Sequence, residues 1–157
     1  HPDLEAEQAY IDHAYDSLDA ARSSANRLKG MVEVGQGGTE QARFLSDLQV
    51  SDFVEIVKTR DSAFHGTPLH RELQRLGVAH LLICGVSTHS CVAQTAIHAF
   101  AHDYHVAVAS DAVTSENSEL AEALQEFLRT EMRQPLLNQS DSAALLHTGW
   151  PPPDHAG

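Results

Sequence analysis

Apolar residues recur every seven positions along the first part of the chain. The principal members of this series are Leu4, Ile11, Leu18 and Ala25. No glycine interrupts residues 3–29, and Gly30 is a residue that commonly ends a helix. The heptad pattern predicts a long helix over residues 1–30 that packs against a second helix or another chain. An amphipathic helix lying on its own domain is the alternative.

From residue 44 to residue 149 the pattern changes, and short β-rich runs alternate with stretches of helical periodicity. Strands are predicted at residues 53–58, 81–84, 104–111 and 134–139, with helices after Pro68, after Cys91 and over residues 119–132. This alternation predicts an α/β domain with a parallel sheet covered by helices. Residues 31–43 are expected to be a glycine-rich join, and residues 150–157 a disordered tail.

The most informative stretch runs from the apolar residues 80–84 through Gly85 to Cys91, where helical spacing begins. A cysteine at the first turn of a helix faces unpaired N–H groups and the positive end of the helix dipole, which stabilise a thiolate. The same N–H groups are placed to bind a developing oxyanion. Alternatively, Cys91 is a small buried residue. Cys84, within the apolar run, is predicted to fill the core.

Charge and composition exclude several classes of protein. The net charge of −12 disfavours binding to nucleic acid or to an anionic membrane. The sequence contains no secretory signal and no apolar run of the roughly 20 residues that span a bilayer. Two cysteines do not make a disulfide framework, and the eleven histidines lack the spacing of metal ligands. We therefore expect a cytoplasmic protein with no metal site and no cofactor.

Several motifs agree in order and spacing with one known family. They are residues 58–69 (KTRDSAFHGTPL), Gly77-Val78, residues 82–92 (LICGVSTHSCV) and residues 106–112. Together they strongly resemble the isochorismatase-like cysteine hydrolases over about residues 44–147. The resemblance implies a three-layer, Rossmann-like fold with a mostly parallel sheet.

The resemblance also implies roles for individual residues. Cys91 is the nucleophile on an amide, ester or vinyl-ether bond of a small molecule, and Lys58 is the cation that stabilises its thiolate. The N–H groups of Ser87 and Cys91 form the oxyanion hole, and the peptide bond before Ser87 is cis. Phe64 and Thr88 are implied as substrate contacts.

One departure from the family pattern stands out. Family members open with a buried strand that ends in an aspartate, the general base, and nothing in residues 1–52 resembles that strand or the second strand of the sheet. Asp47, Asp52 and Asp61 are nearby acids, but no apolar strand precedes any of them to fix its position. The resemblance therefore implies a hydrolase that is weakened, or that receives its acid from another chain.

The N-terminal segment carries a second, generic resemblance. Residues 1–43 are similar to the N-terminal coiled coil of actinobacterial helicase-like proteins that bind RNA polymerase, although no helicase motif follows. The alternative function is thus an inactive binding or assembly module that docks on a protein partner through this helix. An incomplete sheet and a heptad stripe also predict a homo-oligomer.

Overall fold

Parallel strands covered by helices make up the computed structural model, which describes residues 54–149. The strands are β1 (His80–Val86), β2 (His105–Thr114) and β3 (Leu136–Leu137), in the spatial order β1-β2-β3. The helices are α1 (Leu69–Arg75), α2 (Ala93–Ala101), α3 (Ser118–Thr130) and α4 (Gln139–Thr148), and a π-helical turn (Thr88–Val92) joins β1 to α2. The predicted alternation of strands and helices is confirmed for these elements.

Several predictions fall on other parts of the chain. The heptad helix of residues 1–30, the join of residues 31–43 and the tail of residues 150–157 lie outside the described residues. The predicted oligomer and the predicted docking of a protein partner depend on that helix, so both stay predictions.

The two long strands pair in parallel with one interruption. His80 pairs with His105 and Ile83 with Val108, but Gly85 pairs with Val113, so β2 bulges between these points. Asp111 lies in the bulge, where its carboxylate accepts a hydrogen bond of 2.8 Å from the N–H of Gln139, the first residue of α4. The bulge thereby anchors α4 to the sheet.

Polar caps explain where two of the helices begin. The side chain of Asn117 accepts a hydrogen bond from the Leu120 N–H at 3.0 Å, and that of Asn138 accepts one from the Asp141 N–H at 2.8 Å. Such caps satisfy N–H groups that have no partner within the helix. Within residues 54–149, no helix has the length and apolarity needed to cross a membrane.

The core lies on both faces of β2. On one face Val106 and Val108 pack with the alanines of α2 and with Leu128 of α3, which is fully buried. On the opposite face Ala109 and Ala112 pack with Leu82 and with Leu146 of α4. Helices therefore cover the sheet on both sides, which confirms the predicted three-layer arrangement.

The strand predicted at residues 53–58 is wrong for the part that the structure describes. Residues 54–58 form no strand, and Val54 and Val57 are 61% and 75% exposed. A strand needs a hydrogen-bonded neighbour, and the described sheet ends at β1 without one on this side. Local β propensity alone does not form a strand here.

Cys84 is also placed differently from its prediction. Its side chain is exposed rather than part of the core. β1 is an edge strand of the described sheet, and its neighbouring residues Leu82 and Ile83 are only partly buried. The apolar residues of β1 are therefore only partly buried at this edge of the described sheet.

Candidate active site

The turn after β1 presents Cys91 at the carboxyl end of the sheet. The peptide bond between Val86 and Ser87 is cis, in agreement with the resemblance. The carbonyl oxygen of Ser87 then accepts hydrogen bonds from the N–H groups of Ser90 at 3.3 Å and Val92 at 3.1 Å. Cys91 thus lies in a π-helical turn ahead of α2 rather than in the first turn of an α-helix, and it is half-buried.

Lys58 lies beside the cysteine. Its Nζ is 3.3 Å from the Sγ of Cys91 and donates a second hydrogen bond of 3.1 Å to the carbonyl oxygen of Arg60. The structure therefore brings together the two residues that the sequence singled out as catalytic. An ammonium group at this distance stabilises a thiolate relative to the thiol, although solvent screens part of the attraction because Lys58 is exposed.

A carboxylate reaches the same sulfur. The Oδ1 of Asp61 is 3.6 Å from the Sγ of Cys91, and its Oδ2 accepts a hydrogen bond of 2.9 Å from the amide of Gln94. In the sequence, no apolar strand precedes Asp61 to fix its position. A side chain of the neighbouring helix, not a strand, holds it in place. The available signals were its position three residues after Lys58 and the position of Gln94 three residues after Cys91.

The loop that carries both charged residues is bound to α2 at several points. The Oγ of Ser62 lies 2.6 Å from the Nδ1 of His98, and the Ala63 N–H donates to the Oγ1 of Thr95 at 3.0 Å. Ser62 is itself buried. Because α2 also follows directly from the Cys91 turn, these bonds fix the loop and the cysteine to one element.

Comparison with known proteins identifies the family. The isochorismatase domain matches this sequence over residues 8–140. The chain belongs to the isochorismatase family. The Arabidopsis thaliana protein named "Probable inactive nicotinamidase" is 43% identical over 86 residues, which are 53% of this chain and 44% of that protein.

Solved structures of the family resemble this isochorismatase-family chain. An isochorismatase family protein from Desulfovibrio vulgaris superposes with a TM-score of 0.66 at 30% identity, over 83% of this chain and 70% of that one. Nicotinamidase PncA from Bacillus subtilis gives a TM-score of 0.51 at 30% identity, over 52% of this chain and 44% of that one. The chain therefore spans a little under half of the length of both nicotinamidase-named relatives.

Two residues implied as substrate contacts lie in the interior of this family member. Phe64 is 8% exposed, with its ring 5.2 Å from that of His102 and 5.9 Å from that of Tyr104, and Thr88 is 1% exposed. Their contact with substrate stays a prediction. The surface beside Asp61 has a depression of about 230 Å³, lined by Arg60, Ser62, His65, Gln94 and His98. Sequence patterns gave no signal for this lining.

A second polar network holds the other side of the turn. The hydroxyl of Ser87 donates a hydrogen bond of 3.1 Å to the Oε2 of Glu116. The ring of His89 lies between two partners: its Nε2 is 3.6 Å from the Oε1 of Glu116, and its Nδ1 is 2.6 Å from the Oγ of Ser115. The network links the predicted oxyanion-hole residue Ser87 to the segment after β2. The pKa of Glu116 lies below its ordinary value. The largest cause is a hydrogen bond from the backbone N–H of Glu116 itself, and the Ser87 hydroxyl and the nearby His89 add to it.

Glu116→Gln is expected to lower the melting temperature slightly at pH 7. A carboxylate whose pKa is depressed by folding contributes stability above its unfolded pKa of about 4.3 and loses that contribution as the pH falls through the folded value. The difference between wild type and variant should therefore shrink below about pH 4. Melting curves over this pH range measure it, with Glu122→Gln on α3 as the control. A difference that persists at acid pH would contradict the role of the charge.

Proposed function

We propose that the protein is a cysteine hydrolase that cleaves a carboxamide or ester bond of a small molecule, with Cys91 as the nucleophile. The observation that carries the proposal is the 3.3 Å separation between the Nζ of Lys58 and the Sγ of Cys91 at the carboxyl end of a parallel sheet. Thiolates stabilised in this way attack carbonyl carbons and form thioesters. The chain is similar to nicotinamidase PncA from Bacillus subtilis, whose name supports an amide substrate.

The reaction proceeds in two halves. The Sγ of Cys91 bonds to the carbonyl carbon, and the carbonyl electron pair moves to its oxygen, where the N–H groups of Ser87 and Cys91 stabilise it. Collapse of this intermediate breaks the bond to the amine or alcohol and leaves a thioester. Water then attacks the thioester carbon, and the sulfur leaves with restoration of the thiol. Lys58 keeps its proton throughout and stabilises the sulfur anion at both stages.

Alkylation with iodoacetamide tests the proposal, because the two cysteines provide an internal comparison. The side chain of Cys84 is exposed, but desolvation raises the pKa of its thiol, so Cys84 serves as a reference thiol without charge stabilisation. The Lys58 charge predicts that Cys91 reacts at least tenfold faster at neutral pH, an order-of-magnitude expectation for a thiolate-stabilising site. Mass spectrometry of the labelled peptides over time gives both rates.

The matched variant is Lys58→Met, which should slow alkylation of Cys91 by about five- to tenfold, the effect of one unit charge at this distance in a mostly aqueous setting. Arg71→Met, which removes a cation from the exposed surface of α1, is the control and should change neither rate. Equal rates for Cys91 and Cys84, unchanged by Lys58→Met, would overturn the proposal. The alternative of an inactive binding module would then be favoured.

A further inference from the structure

The described part of the chain contains a carboxylate beside the nucleophile. We propose that Asp61, in the loop that carries Lys58, is the general base of this hydrolase. The inference rests on the proposed function, because a proton acceptor has a role only if Cys91 is a nucleophile. The position of Asp61 is the observation that supports it.

The two carboxylate oxygens of Asp61 have different partners. The Oδ2 accepts a hydrogen bond of 2.9 Å from Gln94, which fixes the plane of the carboxylate and directs the Oδ1 to the sulfur. The Oδ1 lies 3.6 Å from the Sγ of Cys91, within the distance over which a thiol donates a hydrogen bond. A thiol placed in this way can transfer its proton without rearrangement of the loop.

The same helix positions the nucleophile, the amide partner and the loop. Gln94 lies one helical turn after Cys91, and Thr95 and His98 bind the two residues that follow Asp61 in the loop. These contacts reduce the freedom of the carboxylate relative to the sulfur, which is the requirement for efficient proton transfer. Asp61 is therefore positioned at the site by tertiary contacts between its loop and α2.

Charge balance also favours a carboxylate at this position. Lys58 is 3.3 Å from the sulfur and Asp61 is 3.6 Å from it, so a cation and an anion lie on either side of the sulfur. A thiolate beside an ionised carboxylate would be unfavourable. Transfer of the proton to Asp61 during attack avoids that arrangement and leaves the net charge of the three groups unchanged.

The proton can be followed through the whole cycle. Attack forms the Sγ–C bond while the S–H proton moves to the Oδ1 of Asp61. Collapse breaks the bond to the leaving nitrogen or oxygen, which takes that proton from Asp61. Water then gives a proton to Asp61 as its oxygen bonds to the thioester carbon, and the departing sulfur recovers this proton. One water is consumed, and every group of the enzyme returns to its starting state.

The full-length chain and the activated ester p-nitrophenyl acetate provide the test. Wild type is expected to release a burst of nitrophenolate that is absent in Cys91→Ser. Asp61→Asn should keep the burst but lower the steady-state kcat, which requires Asp61 to accept a proton from the attacking water, by about a hundred- to ten-thousandfold, the range usual for loss of a general base. Gln94→Ala removes the hydrogen bond to the carboxylate but leaves the carboxylate present, so it should lower activity less, by about tenfold. Gln94→Glu should lower activity more than Gln94→Ala, because it places a second anion beside Asp61.

Alkylation separates a general base from a residue that only maintains the fold. Iodoacetamide consumes the thiolate directly, so Asp61→Asn should not slow labelling of Cys91, whereas Lys58→Met should. Asp47→Asn and Asp52→Asn remove the two aspartates that precede Asp61 most closely in the sequence and should retain wild-type turnover. Wild-type turnover in Asp61→Asn, or loss of turnover in Asp47→Asn or Asp52→Asn instead, would overturn the assignment while leaving the proposed function intact. Absence of any Cys91-dependent burst in wild type would overturn both.

Discussion

Cys91→Ser is expected to reduce kcat/KM for hydrolysis by at least about a thousandfold, the scale on which loss of a catalytic nucleophile is measured. The serine hydroxyl is a much weaker acid than the thiol, and an ammonium group at the distance of Lys58 does not suffice to ionise it. Because serine differs from cysteine by a single atom, the variant should fold as the wild type does. Steady-state hydrolysis of p-nitrophenyl acetate gives the ratio.

Cys84→Ser is the matched control for this prediction. It removes the other thiol of the chain, which is exposed on β1 and has no contact with Lys58 among the described hydrogen bonds and ion pairs. Its turnover should equal that of wild type. An equal loss of activity in both variants would indicate that hydrolysis of the ester depends on nonspecific thiol chemistry rather than on the site around Cys91.

The sequence predicted those elements whose signals are local. The apolar run before Gly85 and the helical spacing after Cys91 identified a strand, a turn and a helix, and the structure has them in that order. The short strand near residue 136 was also anticipated. Turn residues and hydrophobic periodicity depend on neighbours in the chain, so they can be interpreted without knowledge of the tertiary structure.

Predictions that depended on a distant partner were the ones that went wrong. Residues 54–58 have the composition of a strand but no described neighbour to pair with, and Cys84 is exposed because β1 is an edge of the described sheet. Burial and pairing are properties of the whole sheet, whereas propensity is a property of a segment.

The candidate site shows the same division. The roles of Lys58 and Cys91 were predicted from the family resemblance and from their positions. Lys58 ends a predicted strand, and Cys91 follows a predicted turn. The place of Asp61 depends on the amide of Gln94, thirty-three residues away, and on two further contacts between the loop and α2. No periodicity or spacing reveals a hydrogen bond of that kind. The residue was visible in the sequence, but the reason for its position was not.

Leu128→Ala should produce the largest loss of stability among single core substitutions in the described region, about 3 kcal/mol in the free energy of unfolding. Leu128 is 0% exposed and is among the largest fully buried side chains of the described residues. Its removal leaves a cavity in a cluster that includes Val92 and Ala93, which directly follow the nucleophile. Urea unfolding followed by circular dichroism measures the change.

Leu120→Ala, on the same helix α3, is the control, because its side chain is 46% exposed and its truncation should cost within about 0.5 kcal/mol. The pair separates burial from helix propensity, since both variants replace leucine by alanine in one helix. Because the cavity adjoins the Cys91 turn, Leu128→Ala should also change the alkylation rate of Cys91 at urea concentrations well below unfolding, while Leu120→Ala should not. Equal stability losses would show that α3 does not pack on the core through Leu128.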